Sequence, residues 1–455
     1  MKTVHLIQSS HLDIGYTNSL HGVVNKYFDD WFPTAMELAA GLRHAGGPER
    51  YIYTTHSWLI SLFFDCPAGL GLHCPNAEYK HNVSAAIRRG DIAWHALPSN
   101  LEMAVAGSAL IKHSVALTHH LDDQFGVPRK RTVSIRDVPG TTRAAIPSLV
   151  SQGVEALSLG GNGSPFEANV PPAFVWRDPE SATELLALWH TYGYGELVDE
   201  VPGFQESSFV QIPGCEHALA YLWRDDNEGP GQSQHAHATT VEGVRSDFAV
   251  VQSWFPGAEV IASTFDSFVE KVDKEALKQL PVVAGECDES WVFGTASDPG
   301  KLSAFRALER VMERCADCSV DSSAGFRNFT RFLHKNPEHT WGLSCRVLDG
   351  CSGPAAVTNW QNADFYKALS SPNSSYHTME ESWREMTRWG VDAPQDALKA
   401  AAAVGDRQAA DLLKDVEWEF ENISAALDLS APPSSATGFE RLALADNLAL
   451  QALCG

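Results

Sequence analysis

Basic residues are scarce in this 455-residue chain: 34 Lys and Arg stand against 57 Asp and Glu, a net charge of −23. A surface so short of positive charge offers no electrostatic footprint for nucleic acid, whose phosphates would repel it. Anionic membrane surfaces are excluded as partners on the same ground. Long apolar runs are missing too. No stretch approaches the roughly 20 apolar residues of a membrane-spanning helix. The apolar part of the opening MKTVHLIQSSHLDIGYT is too short for a secretory signal. Cysteine is unpatterned: nine residues, an odd number, without tight framework spacing. That usage predicts free thiols in a reducing compartment, hence a cytoplasmic protein. Cys315 and Cys318 form a lone CxxC; without a second CxxC it reads as incidental thiols ahead of a zinc ribbon or redox pair. Internal repeats and low-complexity tracts are absent.

What is present is an ordinary globular composition, 44% apolar and 20% charged. A chain of this length buries about 75% of its unfolded surface, enough for a sizeable core. Short β-rich runs alternate with longer helical patterns through the first part of the chain. Strands are predicted at Thr3 to Ile7, Tyr51 to Thr54, Ile92 to His95, Thr132 to Ile135 and Ala156 to Leu159. Further strands are expected at Ala173 to Trp176, Ala218 to Trp223 and Glu259 to Ser263. Between them, helical patterns run from Val24 to Leu42, Ile60 to Phe64, Val83 to Arg89, Met103 to Phe125 and Ile146 to Gln152. This rhythm implies a parallel sheet with crossover helices, most simply one barrel with an appendage. After Pro281 the texture turns helical, at Lys301 to Glu313, Ser382 to Arg388 and Ala397 to Phe420.

Polar, Gly-rich segments follow the strands: SSHLDIG, THSW, HALPSN, RDVPG, GGNGSP and RDDNEGPG. In parallel α/β folds the loops at strand C-termini converge and carry the chemistry. His11 and Asp13 lie two apart after the first strand, where an imidazole and a carboxylate can reach one cation; a solvated loop with a capping Asp fits as well. Asp137 follows the strand TVSIR, at the same end, as a reactive carboxylate or a helix N-cap, with Arg136 as ion-pair partner or substrate clamp. Asp225 and Asp226, in WRDDNEGPG, supply a second carboxylate for acid and nucleophile work on a glycosidic bond, or a plain turn. Glu286-Cys287-Asp288-Glu289-Ser290-Trp291 reads as a metal ligand and sugar platform or as an acidic helix N-terminus. His56, His95, His190 and His339 are individually uninformative. So are Trp58, Trp94, Trp223, Trp291 and Trp341, although 13 Trp in all suit carbohydrate handling.

HLDIGYT resembles the His-x-Asp-x-Gly-aromatic signature of family 38 glycoside hydrolases, the zinc-dependent α-mannosidases. HNVSAAIRRGDIAWHALPSNLEMA and HHLDDQFGVPRKRTVSIRDVPGTT extend the resemblance toward the strand that bears the family's ligand and nucleophile. A little-characterised bacterial and fungal branch related to that family is closer still, through WRDDNEGPG, GECDESWVFGTASDP, NPEHTWGL and EESWRE. The resemblance implies zinc ligation by His11, Asp13 and Asp137, with Asp137 also the nucleophile and Asp226 the general acid. The family's fourth ligand is a His before a Gly-Thr; matching that pair to Gly294-Thr295 puts Glu289 there instead. Three carboxylates and one His would be a more anionic site than usual, with a shift in metal preference or a loss of metal. The sequence is also read as lacking the family's C-terminal β-sandwich portion.

The expected fold is therefore α/β: a (β/α)7-type catalytic barrel with parallel strands over residues 1–280. A C-terminal α-helical domain over 281–430 completes the active site, and 431–455 forms a linker and terminal helix. The expected activity is that of a metal-dependent retaining glycoside hydrolase, α-mannosidase-like, holding a divalent metal, Zn²⁺ first. Asp137 and Asp226 are its catalytic pair, and His11, Asp13, Asp137 and Glu289 its metal ligands. His95, Arg136, Asn227, Trp291 and His339 form the candidate substrate-binding set, and the partner is a carbohydrate or glycoside. A lyase or deacetylase on the same barrel, and a non-catalytic carbohydrate-binding protein, are the alternatives. Homo-oligomerisation is left open.

Overall fold

The computed structural model describes residues 1–162, 168–190, 209–222, 240–287, 291, 298–344, 362–372, 374 and 376–426. The strands are β1 (Thr3–Ser9), β2 (Tyr53–Thr55), β3 (Ile92–Trp94), β4 (Thr132–Arg136), β5 (Ala156–Gly160) and β6 (Ala173–Asp178). They continue as β7 (Thr183–His190), β8 (Phe209–Gln211), β9 (His217–Leu222), β10 (Glu259–Ala262) and β11 (Val282–Val283). One sheet runs β3-β2-β1-β9-β8 with β10 also on β1, and the other β11-β6-β7-β5-β4. The two meet where the Ala96 N–H, just past β3, donates to the Thr132 carbonyl of β4 at 2.8 Å.

Parallel pairing dominates, from β1 with β2, β9 and β10 to β4 with β5 and β5 with β7. Such strands are covered on both faces. In β1, Val4 and Leu6 enter one core cluster and Ile7 the other, the period-2 alternation of a doubly buried strand.

The sequence-based expectation is corrected in three respects. A closed seven-stranded parallel barrel does not emerge among the described residues. Two pairs, β6 with β7 and β8 with β9, are antiparallel, and β7 and β8 were not anticipated. The hairpin turns at Asp178–Thr183, where Asp178-Pro179 marks the turn and a left-handed Ala182 (φ 57°) completes it. The predicted helix from Ala397 to Phe420 is two helices, Ala393–Ala403 and Arg407–Ala426. Gly405 at φ 97° breaks it, and Asp406 accepts from the Ala409 N–H at 3.0 Å to cap the second helix. Finally, Cys66–Cys74 and Cys315–Cys318 are disulfides, leaving Cys215 and Cys287 as the free thiols among the described residues. The reducing-compartment argument loses these four cysteines, because disulfides persist in oxidising surroundings.

Two π-helical turns share one cause. Tyr27–Trp31 and Arg388–Asp392 each run into a helix whose second residue is proline, Pro33 and Pro394. Proline has no N–H for the carbonyl four residues back, so the ladder widens there. For Pro394 that carbonyl belongs to Gly390, which accepts from the Asn336 side chain at 2.7 Å. A Cβ on Gly390 would meet Asn336 Oδ1 at 2.3 Å, so the close approach needs glycine.

The C-terminal helices share their core with the first half. Phe305, Leu308, Phe326, Phe329 and Leu398 pack with Leu110 and Leu117 of the helix Ser108–Phe125. Trp58 and Trp389 lie 5.8 Å apart in the largest cluster, and the Trp58 indole N–H donates to the Arg331 carbonyl at 3.0 Å. No described helix is long and apolar enough to cross a membrane.

Several buried histidines are held neutral, chiefly by burial. His5, with His217 adding to the effect, is pushed down to about 4, and His95, beside Arg136, to about 3. His334 falls to about 3 although Glu338 opposes the shift. Below their unfolded value of 6.5 the unfolded chain takes up protons that the folded chain refuses. Their contribution is thus complete above pH 6.5 and falls as pH drops toward about 4. The urea midpoint is expected to fall between pH 7 and pH 5, and His5→Gln to shrink that fall; an unchanged pH slope in the variant overturns this. Counting thiols in denaturant with and without reductant should give a difference of at least the four disulfide cysteines.

Candidate metal centre

Three chain segments arrive at one end of the sheets. β1 ends at Ser9 and delivers His11 and Asp13, whose backbone turns as the Gly15 N–H donates to the Asp13 carbonyl at 2.9 Å. β4 ends at Arg136, and Asp137 follows in the left-handed region at φ 71°, its N–H bonded to the Gly160 carbonyl at the end of β5 (3.0 Å). A non-glycine residue there costs on the order of 1–3 kcal/mol, a strain typical of functional positions. The third segment follows the helix Ala324–Leu333 and carries His339. Its main chain is tied to the loop after β3: the His339 N–H donates to the Asn100 carbonyl and the Glu102 N–H to the Pro337 carbonyl.

His11, Asp13, Asp137 and His339 present ligand atoms that all lie within 4.8 Å of one another. His11 Nε2 is 3.1 Å from His339 Nε2, 2.9 Å from Asp13 Oδ1 and 3.5 Å from Asp137 Oδ2. His339 Nε2 is 3.1 Å from Asp13 Oδ1 and 3.2 Å from Asp137 Oδ2. Four donors around Zn²⁺ at ~2.0–2.1 Å form a tetrahedron with edges of about 3.3 Å, so these separations suit a first-row divalent ion. Two imidazoles and two carboxylates are also a suitable donor set for one. The cluster can hold a divalent metal.

Its electrostatics agree with that geometry. Burial disfavours every charge here, yet Asp13 and Asp137 outweigh it and raise His11 to about 9. Glu338 and the two aspartates likewise raise His339 well above its usual value. Burial pushes the aspartates up, but the two histidines more than reverse it, lowering Asp13 to about 2 and Asp137 well below its usual range. Without an ion the set balances as two imidazolium–carboxylate pairs; a cation would replace the two protons. Exposure is uneven: the His11, Asp13 and His339 side chains are 0–1% exposed, Asp137 14%. The open face therefore belongs to Asp137, whose other oxygen, Oδ1, accepts from Asn162 Nδ2 at 2.6 Å.

The fourth member was given another role by the sequence reading: His339, expected to bind substrate, stands in the cluster beside the three expected ligands His11, Asp13 and Asp137. Glu289, Asp226 and Asn227 lie outside the described residues. Trp291 flanks the cluster, its ring parallel to that of His339 (interplanar angle 3°, centroids 6.3 Å apart). Arg136 does not reach out as a clamp. At 2% exposure it turns inward, donating to the Ser158 carbonyl and hydroxyl and lying 4.0 Å over the Tyr221 ring. Strand alternation explains this, because successive side chains leave opposite faces. His95 is buried against His56 at 3.1 Å and is not one of the four. Sequence reasoning missed Asn162, Glu338, Lys335 and Tyr27. Asn162 sat in the flagged strand-end segment GGNGSP, and Glu338 in NPEHTWGL. The Tyr27 hydroxyl reaches the His11 carbonyl (3.1 Å) from a π-helical turn that no sequence period announced.

Residues 295–428 match a domain of unknown function, DUF5054, which covers well under half of the chain. No curated protein matches the chain. Among solved structures, an alpha-mannosidase from Enterococcus faecalis V583 aligns at a TM-score of 0.51 and 14% identity, over 88% of this chain and 43% of its own. A glycosyl hydrolase family 38 protein from Enterococcus faecalis aligns at 0.47 and 13% identity, over 88% and 40%. A GH57 branching enzyme from Thermococcus kodakaraensis gives 0.43 and 10%, over 92% and 94%. At such identities the likeness is one of fold, that of a mixed α/β protein with parallel sheets and a helical C-terminal region. In particular, the chain shares the fold of part of an alpha-mannosidase and spans less than half the length of the first two structures.

Protein purified with Zn²⁺ should retain about one metal ion after dialysis. His339→Ala and Asp13→Ala should each weaken retention roughly tenfold or more, read by elemental analysis. Full retention in both variants overturns the assignment.

Proposed function

We propose that the chain is a metal-dependent retaining glycoside hydrolase of the α-mannosidase type, with Zn²⁺ its first-choice ion. The observation that carries the reading is the composition of the strand-end cluster: three members closed off from solvent and one ionised carboxylate, Asp137, with an open face. A nucleophile must be deprotonated and must meet substrate, and Asp137 meets both conditions. His11 and His339 keep it ionised, and Asn162 restrains its second oxygen.

His11, Asp13, Asp137 and His339 would hold the ion, which when bound supplies Lewis-acid contact to two adjacent sugar hydroxyls and orients the ring. Asp137 attacks the anomeric carbon as the bond to the leaving oxygen breaks, giving a glycosyl ester on its carboxylate. Asp226 is the proposed general acid: it protonates the leaving oxygen, then takes a proton from water as that water cleaves the ester. Retention requires the two carboxyl groups to stand roughly 5–5.5 Å apart. The indole of Trp291, parallel to His339, offers a flat apolar face for the C–H side of a sugar. The fold likeness to an alpha-mannosidase and the HLDIGYT signature favour α-mannosides as the first substrates to try.

With aryl α-mannosides and other aryl glycosides, Asp137→Asn should lower kcat/KM by roughly a thousandfold or more. Asp226→Ala should hurt substrates with poor leaving groups far more than activated ones. Wild-type turnover by Asp137→Asn, or inversion at the anomeric carbon, would sink the proposal. An unsaturated product absorbing in the ultraviolet would assign the same site to elimination instead.

A further inference from the structure

We infer that Glu338 is a positioning residue for the metal centre: it holds His339 as the Nδ1–H tautomer and thereby aims the Nε2 lone pair at the other three ligands. The inference rests on the metal-dependent reading above and deepens it. Glu338 Oε1 lies 2.8 Å from His339 Nδ1, and both side chains are within 1% of full burial. The contact is an ion pair by distance, and no hydrogen bond from another described residue competes for either atom. A neutral imidazole carries its proton on one nitrogen and a lone pair on the other. A carboxylate facing Nδ1 selects the form in which Nε2 is the free donor.

The carboxylate cannot turn away, because its second oxygen is saturated. Glu338 Oε2 accepts from Lys335 Nζ at 2.8 Å and from the Thr340 hydroxyl at 2.6 Å. Lys335 Nζ also donates to the Thr340 carbonyl at 2.9 Å, pinning the residue that follows His339. The Leu101–Glu338 bridge and the Asn336–Gly390 bond fix the same segment to two other parts of the chain. Lys335 is 2% exposed and Glu338 0%. A buried ion pair of this kind is weak as a source of stability, since apolar side chains of like volume commonly serve a core as well or better. Its place at the far nitrogen of a candidate ligand gives it a purpose that stability does not.

The test uses the full chain with Co²⁺ and Zn²⁺ as probes. Glu338→Gln keeps the shape and removes the charge. It should weaken Co²⁺ binding roughly 10–100-fold and alter the visible spectrum of the Co²⁺-loaded protein, while circular dichroism stays native. Wild-type affinity and spectrum in that variant overturn the inference. A second measurement needs no folded variant at Glu338. ¹⁵N-histidine spectra of the Zn²⁺-loaded wild type, with His339 identified by its loss in His339→Gln, should show the proton on Nδ1. A proton on Nε2 overturns the inference and removes His339 as a ligand through that nitrogen, whereas wild-type metal affinity in Glu338→Gln overturns the inference alone. Failure of the wild type to take up either ion overturns the metal reading and this inference with it.

Discussion

Two carboxylates and two imidazoles occupy one buried volume, and that arrangement constrains the rest of the molecule. Left without counter-charge, Asp13 and Asp137 would repel each other at a depth where water no longer screens them. His11 and His339 balance them as imidazolium ions, or a divalent cation does so while the imidazoles lose their protons. Either state demands that four side chains from three distant segments hold their places to within about half an ångström. β1 and β4, in different sheets, bring two of the segments together, each delivering its ligands just past its last residue. The third segment has no strand to carry it.

That third segment explains why the C-terminal helices are integral to the molecule. His339 sits after a helix whose apolar face is buried against the helix Ser108–Phe125, with Phe326, Phe329 and Leu333 in one cluster with Leu110 and Leu117. The Trp58–Trp389 contact and the Asn336–Gly390 bond fasten the same region to the first half. Proline enters this chain of dependence indirectly. Pro394 denies the Gly390 carbonyl its helical donor, and Asn336, three residues before His339, uses that carbonyl. Tyr27 repeats the pattern near Pro33, reaching the His11 carbonyl from a π-helical turn. Both irregular turns thus bear on the ligands, through one side-chain bond each.

Much of the architecture was legible because it depends on local pattern. Strand-forming runs at Thr3 to Ile7, Thr132 to Ile135 and Ala156 to Leu159 coincide with β1, β4 and β5, extended by one or two residues. His11, Asp13 and Asp137 were legible because each follows such a run directly. The hairpin of β6 and β7 was missed although Asp178-Pro179 marks its turn, because the left-handed residue that completes it, Ala182, is not a glycine. The pairing of Cys66 with Cys74 escaped as well: eight residues apart, they meet only because a left-handed Cys66 ends the preceding helix. Helix continuity past Gly405 failed for the opposite reason, one glycine outweighing a long amphipathic period.

By itself, then, the sequence determined a parallel-rich α/β framework with carboxylates and a histidine at the strand exits. Those features need only period-2 alternation and short-range order. The fourth member of the cluster, and the carboxylate–lysine pair behind it, were decided by tertiary structure alone. His339 lies 328 residues from His11, and no spacing rule reaches that far. What joins them is the packing of the helix Ala324–Leu333 against the helix Ser108–Phe125 and a few bonds to the loop after β3. The inward turn of Arg136 has the same origin. A basic residue beside a reactive aspartate reads as a clamp in one dimension. In three, strand alternation sends it to the opposite face.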